Sequence, residues 1–211
     1  MTNRQLAFEK AAEGIIENLK KRNMEGYYFR DSASCVKAVL DMIPEGSSIS
    51  WGGSASVTES GVMDALKRGN YKLIDRTMAK TPEEGRQLYG QAVMADYYLM
   101  STNAMTYDGE LVNIDGNGNR VACLIHGPRY VFLIVGMNKL ASTLEGAFER
   151  ARTMACPPNA VRLDKQTPCA KTGRCHDCLA PDSFCNQIVV TRRSGHAGRI
   201  KVFLVAEDLG F

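Results

Sequence analysis

Residues Asp96–Lys139 read DYYLMSTNAMTYDGELVNIDGNGNRVACLIHGPRYVFLIVGMNK, and this stretch decides the fold. It opens and closes on short apolar runs, Tyr97–Met100 and Tyr130–Val135, of the length and composition of buried strands. Between them lie Asn103, Asp108, Asn113, Asp115, Asn117, Asn119 and Arg120, interleaved with Gly109, Gly116 and Gly118. Turn formers and hydrogen-bonding side chains therefore converge between two buried strands. In an open α/β sheet such segments lie beyond the carboxyl ends of the strands, where ligands bind. Asp108-Gly109, between Ala104–Tyr107 and Glu110–Ile114, predicts a tight hairpin with a type I′ turn.

Working outward, the remaining elements alternate in the same way. A helix is predicted over Asn3–Arg22, a strand at Tyr27–Phe29, and a helix capped by Asp31 or Ser32 and stopped by Pro44. The strand Ser48–Trp51 then enters Gly52-Gly53-Ser54-Ala55-Ser56, with Thr58 and Glu59 close behind. A glycine-serine turn from a strand into a helix presents backbone N–H groups and hydroxyls suited to an anion. It is neither the dinucleotide fingerprint nor the P-loop, because G-x-G-x-x-G and G-K-[ST] are both missing.

Further on, Tyr71–Asp75 reads as a strand, and Thr81-Pro82-Glu83-Glu84 as a helix start with its cap. A helix capped by Ser142 or Thr143 follows, and Pro157-Pro158 is expected to end it. Gln187–Thr191 and Ile200–Val205 are two final β runs, expected to return to the sheet as a hairpin. The order predicts an α/β fold with a largely parallel sheet flanked by helices, a late hairpin insertion, and one domain over residues 1–211.

The segment 158–186 carries Cys169, Cys175, Cys178 and Cys185 spaced C-x5-C-x2-C-x6-C, with Cys156 just upstream and His176 inside the C-x-x-C. Two thiolates from one turn and two more nearby suit a tetrahedral sulfur site, either zinc or an iron-sulfur cluster; the spacing does not choose between them. Cys35 and Cys123 lie in apolar helical patterns and read as core residues.

Composition narrows the class. The chain of 211 residues is 45% hydrophobic and 23% charged, as in an ordinary globular protein. A net charge of +3 from 26 basic and 23 acidic residues is too balanced to indicate a nucleic-acid or anionic-membrane partner. No apolar run reaches the roughly 18 residues that a membrane span needs. The charged, amphipathic start and the odd count of seven cysteines lead us to expect a cytoplasmic protein with reduced thiols.

Four motifs carry a family resemblance. They are S-x-N-A-x-T-x-D-G-x-L-V-N-x-D-G-x-G-N-R-V at Ser101–Val121, G-x-N-K at Gly136–Lys139, P-C-x-x-T-G-x-C-x-D-C at Pro168–Cys178, and G-R-I-x-V-x-L-V-x-E-x-L-G-[FY] at Gly198–Phe211. Together they resemble the LUD-domain family, which is associated with lactate utilisation and is similar in fold to the sugar-phosphate isomerase and CoA-transferase superfamily. The resemblance implies a pocket with Gly52, Gly53, Ser54, Ser56, Thr58 and Glu59 on one side. Asn103, Asp108, Asn113, Asp115, Asn119, Arg120 and Lys139 would line the other. Glu59 and Asp108 are then the acid or base candidates, and Arg120 and Lys139 the partners of a ligand carboxylate or phosphate. The implied ligand is a small anionic metabolite, and the implied partners are iron-sulfur oxidoreductase subunits of lactate oxidation. Alternatives from other classes are an autonomous enzyme acting on a sugar phosphate or CoA ester, and a non-catalytic assembly subunit.

Overall fold

The computed structural model describes residues 2–211. Its centre is a six-stranded sheet of order β1 (Glu25–Phe29), β10 (Ile200–Val205), β7 (Tyr130–Gly136), β4 (Tyr97–Met100), β2 (Ser48–Trp51) and β3 (Lys72–Ile74), every pairing parallel. Parallel strands need crossovers, and the helices supply them on both faces. Along β7 the side chains alternate: Val131, Leu133 and Val135 pack with Ala12, Ile15 and Leu19 of α1 (Asn3–Lys21), whereas Phe132 and Ile134 pack with α2 (Ser32–Met42). That is why the central strands read as continuous apolar runs. The first layer is completed by α5 (Pro82–Val93) and α6 (Asn119–Ile125), the second by α3 (Ala55–Glu59) and α4 (Val62–Arg68).

On the second face an aromatic row crosses four strands. Phe203 meets Phe132 with ring centroids 4.9 Å apart and Tyr27 at 5.3 Å, and Tyr97 meets Phe132 edge-on at 5.3 Å. Such ring contacts act only in the observed register, so they fix the pairing of β1, β10, β7 and β4.

A smaller sheet stands apart, ordered β8 (Leu140–Ala141), β5 (Ala104–Thr106), β6 (Leu111–Asp115) and β9 (Gln187–Thr191). It contains the expected hairpin, since β5 and β6 are antiparallel. The turn differs from expectation. Gly109 donates its N–H to the Thr106 carbonyl at 2.9 Å, Thr106 donates to the Glu110 carbonyl at 3.0 Å, and only Gly109 has positive φ, at 88°. Asp108 keeps negative φ, so the connection is a longer loop with one left-handed glycine rather than a type I′ turn.

Two further expectations are corrected. The runs β9 and β10 do not form a hairpin: β9 pairs antiparallel with β6 in the small sheet, and β10 inserts between β1 and β7 in the large one. Pairing partners far away in sequence outcompete the local one, because β10 is apolar on both faces and only the centre of the large sheet buries both. Nor do Pro157 and Pro158 end the helix. After α7 (Leu144–Arg150) the chain widens into a π-helical turn, Ala151–Ala155, and continues as α8 (Cys156–Arg162). The prolines fall in the first turn of α8, where a missing N–H costs little.

Arg199 ties the large sheet to α6. Its buried guanidinium donates to the carbonyls of Pro128 (3.0 Å), Leu124 (2.6 Å) and Cys123 (2.8 Å), two of them in the last turn of that helix. Arg199→Met strands these acceptors and is expected to lower stability by about 2–3 kcal/mol. The check is the midpoint of urea unfolding; an unchanged midpoint would mean that water replaces the guanidinium at no cost.

Candidate functional site

The connections leaving β2 and β4 run in opposite directions across the sheet, β2 toward β3 and β4 toward β7. At such a switch point the loops part and leave a crevice beyond the strand ends. Here it is a cleft of about 360 Å³. Gly53–Ser56 follow β2, Arg76 follows β3, and Ser101–Asn103 follow β4. Asp115 ends β6, Asn119 and Arg120 open the helix after it, and Lys139 comes from the 3-10 turn after β7. Ala155, Asn159, Arg162, Lys165 and Phe184 form the facing wall.

Arg120 holds the near wall together. Nη1 donates to Asn113 Oδ1 (2.6 Å) and the Ser101 carbonyl (3.3 Å), and Nη2 donates to the Ile114 carbonyl (2.7 Å) and Asn103 Oδ1 (3.4 Å). Nε lies 3.2 Å from Asp115 Oδ2. Asp115 Oδ1 in turn accepts from the Gly118 N–H at 2.9 Å, and Asn103 Oδ1 accepts from the Ile114 N–H at 2.9 Å. The loop after β4, strand β6 and the start of α6 are thus pinned by one guanidinium. Gly52 sits behind it: a Cβ there would come within 3.0 Å of Arg120 Cδ, so the glycine makes room for the side chain. Since its donors are committed to the protein, Arg120 shapes the wall and sets its charge more than it grips a ligand.

Arg76 is differently placed. With the Asn119 amide oriented oxygen-first, that oxygen accepts from the guanidinium, and Nη2 reaches the Trp51 carbonyl at 3.4 Å. Its buried Nε has no hydrogen-bond partner among the described residues.

Lys139 is 4% exposed, and its Nζ donates to the Thr102 carbonyl at 3.3 Å. Burial brings its ammonium down to about 7, with the charges of Arg150 and Arg120 acting in the same direction and Glu59 opposing them. Five basic residues line the cleft, Arg76, Arg120, Lys139, Arg162 and Lys165, against the single acid Asp115. The field inside favours an anion.

The sequence model for the LUD domain matches residues 12–205. The chain belongs to the LUD-domain family. Among solved structures, a DUF162 family protein from Deinococcus radiodurans superposes with a TM-score of 0.55 at 11% identity, covering 94% of this chain and 98% of its own. The delta subunit of eIF2B from Chaetomium thermophilum aligns with 57% of this chain and 54% of its own at 14% identity, with a TM-score of 0.37. No curated protein matches the sequence.

In this LUD-domain protein, Gly53, Ser54, Ser56, Asn103, Asp115, Asn119, Arg120 and Lys139 come together as the sequence expects. Gly52 and Asn113 stand one layer behind. Thr58 and Glu59 do not line the cleft: the Thr58 hydroxyl donates to the Ser54 carbonyl at 3.2 Å, and Glu59 Oε2 accepts from the Gly210 N–H at 2.5 Å. The serines are engaged too, Ser54 capping Val57 N–H and Ser56 donating to the Leu209 carbonyl at 3.1 Å. The hydroxyls of the glycine-serine turn are therefore committed to the protein, and α3 is only five residues long.

Asp108 is separate. It lies exposed at the hairpin tip, with its carbonyl accepting from Arg22 Nε at 2.6 Å, in a second, shallower hollow with Lys21, Arg192 and Arg193.

Three of the four predicted metal ligands gather about Cys156, whose thiol is pushed up first by the contact with Cys185 and by burial, with Cys175 and Cys169 acting in the same direction. Cys169 is buried with its sulfur 3.2 Å from the Thr167 hydroxyl, Cys175 and Cys178 are half-buried, and exposed Cys185 has its sulfur 3.7 Å from that of Cys156. Among the described residues no three His, Cys, Asp or Glu side chains are placed to hold a metal ion. Cys35 and Cys123 are core residues, 0% and 1% exposed.

Sequence reasoning missed Arg76 and the whole facing wall. For Arg76 a signal existed, since it directly follows a predicted strand and so lies at a carboxyl end of the sheet. For Asn159, Arg162 and Lys165 none did, as the Cys-rich region has no hydrophobic period to place it. No helix among the described residues is long and apolar enough to cross a membrane.

Proposed function

We propose that the cleft binds a small organic acid and that the protein acts in lactate utilisation, in the cytoplasm beside iron-sulfur oxidoreductase subunits. The observation that carries the binding half is the five-to-one excess of basic over acidic residues lining a switch-point cleft, Arg76 among them. A cleft of about 360 Å³ suits a metabolite rather than a polymer. Membership of the LUD-domain family supports the metabolic half.

Calorimetry with lactate and pyruvate tests the first half, and lactate-dependent electron transfer with partner subunits tests the second. Arg76→Ala is expected to weaken carboxylate binding roughly 10- to 100-fold through loss of a charge-assisted hydrogen bond. Equal affinity in the variant would place the acid elsewhere. A parallel panel of phosphorylated sugars and acyl-CoA esters covers the autonomous-enzyme alternative: turnover of one of them without partners would replace the present reading.

A further inference from the structure

Lys139 is an unusual choice for a simple anion contact. An ammonium meant only to hold a carboxylate works best near solvent, where water lowers the cost of its charge. Lys139 instead sits at the inner end of the cleft, 4% exposed, wedged against the chain at Gly210, where an added Cβ would lie 3.4 Å from Nζ. It forms no ion pair among the described residues, and its single acceptor is a carbonyl. The nearest charges are two arginines, Arg120 and Arg150, and the one nearby acid, Glu59, is occupied by the Gly210 N–H. Arg150 and Arg120 disfavour a second positive charge at that point, and Glu59 offsets them only in part. Burial and the two arginines shift Lys139 toward the free amine, whose lone pair makes it a nucleophile as well as, when protonated, a counter-ion.

We propose that Lys139 is the catalytic nucleophile of this cleft and that its substrate is a 2-oxo acid, whose carbonyl carbon Nζ attacks while Arg76 holds the carboxylate. The proposal rests on the organic-acid reading above and deepens it by naming the substrate class. In the step, the Nζ lone pair forms a C–N bond as the carbonyl π pair moves to oxygen. The alkoxide takes up a proton and nitrogen releases one, giving a carbinolamine. Loss of that hydroxyl with a further nitrogen proton yields water and an imine, so that amine and ketone become imine and water with no change of oxidation state. The low charge of Lys139 near neutral pH, about 7 for its ammonium, keeps the attacking form populated. Arg120 and Arg150 remain charged, so the carboxylate is attracted to the position where the amine waits.

The test treats the intact protein with pyruvate and sodium cyanoborohydride, which reduces an imine to a stable secondary amine, and maps the adduct by peptide mass spectrometry. A carboxyethyl group at Lys139 is expected, at a pyruvate concentration that leaves the surface lysines unmodified. Excess lactate, which carries the carboxylate but no carbonyl, is expected to protect Lys139 by competition. This arm needs no variant, so a folding defect in Lys139→Met cannot obscure the result. Adducts scattered over surface lysines, or no adduct while calorimetry still shows pyruvate binding to the cleft, would overturn the imine and leave the anion site standing. Absence of both binding and adduct would overturn the two together.

Discussion

Arg120→Ala is expected to destabilise the protein by about 3–5 kcal/mol, enough to lower the melting temperature by roughly 10 °C. The magnitude follows from what remains after truncation. Asp115, 7% exposed, is left without its partner, Asn113 at 0% exposure loses the donor at its Oδ1, and the carbonyls of Ser101 and Ile114 lose theirs. Removing one member of a buried charged cluster costs far more than the cluster contributes as a whole, because the rest are left desolvated and unpaired. Asp115→Asn in the same background should recover part of the loss by removing the orphaned charge. Thermal melts and urea titrations of the single and double variants measure both terms. A single-variant loss below about 1 kcal/mol would show that water fills the site and that the wall does not depend on Arg120.

Lys139→Met is expected to act in the opposite direction on stability while abolishing the chemistry of the cleft. Burial lowers the folded ammonium to about 7 from the ordinary 10.5, so at and below neutral pH the fold must hold a charge that the unfolded chain holds in water. Between about 7 and 10.5 the unfolded chain binds more protons than the folded one. The contribution of Lys139 to stability therefore rises with pH across that window and is at its most unfavourable below it. Groups facing Nζ are Arg120 on α6, Arg150 on α7 and Glu59 on α3, and none relieves the penalty fully. Methionine keeps the volume and removes the charge at the cost of one long hydrogen bond to Thr102. A gain on the order of 2 kcal/mol is expected at pH 6, shrinking as the pH rises toward the lysine range. Melts of both proteins across pH give the difference curve, in which titrations common to both cancel. A flat difference would show that Lys139 stays protonated and solvated.

The parts of the fold that rest on local pattern were legible before the structure. Central strands such as Tyr97–Met100 and Tyr130–Val135 are buried on both faces, and their uninterrupted apolar runs say so directly. Caps at Asp31, Thr81 and Thr143 sit where Ser, Thr and Asp rules place them, and each side chain accepts the expected backbone N–H. The parts that depend on distant partners were not legible. Nothing local to Gln187–Val205 says that two neighbouring β runs belong to different sheets. Pro157-Pro158 misled because the usual stop rule presumes an α-helix of normal pitch, and the π-helical turn before them resets the count of donors.

The site divides in the same way. Arg120 and the asparagines stood out because they cluster in one turn-rich stretch and Lys139 because of the family resemblance, whereas Asp108, from that same stretch, lies at the other end of a hairpin. Residues close in sequence can leave a strand in opposite directions. Glu59 was misjudged for a different reason: an acid beside a glycine-serine turn is available for catalysis only if no backbone N–H claims it, and Gly210, 151 residues on, does.

The position of β10 has a consequence for the history of each molecule. Its neighbours are β1 on one side and β7 on the other, and Glu25 of β1 faces Lys201 of β10 across 176 residues of sequence. A ribosome completes α1 and β1 early, yet β1 has no strand beside it until the chain has been made through Val205. At about 5–20 residues per second that interval lasts on the order of ten seconds or more. During it the edge of β7 that β10 will cover is open to other nascent chains. Assembly of the large sheet thus ends with insertion of a strand into a gap rather than addition at a border, and early arrest of translation would release a protein with a slot through its middle.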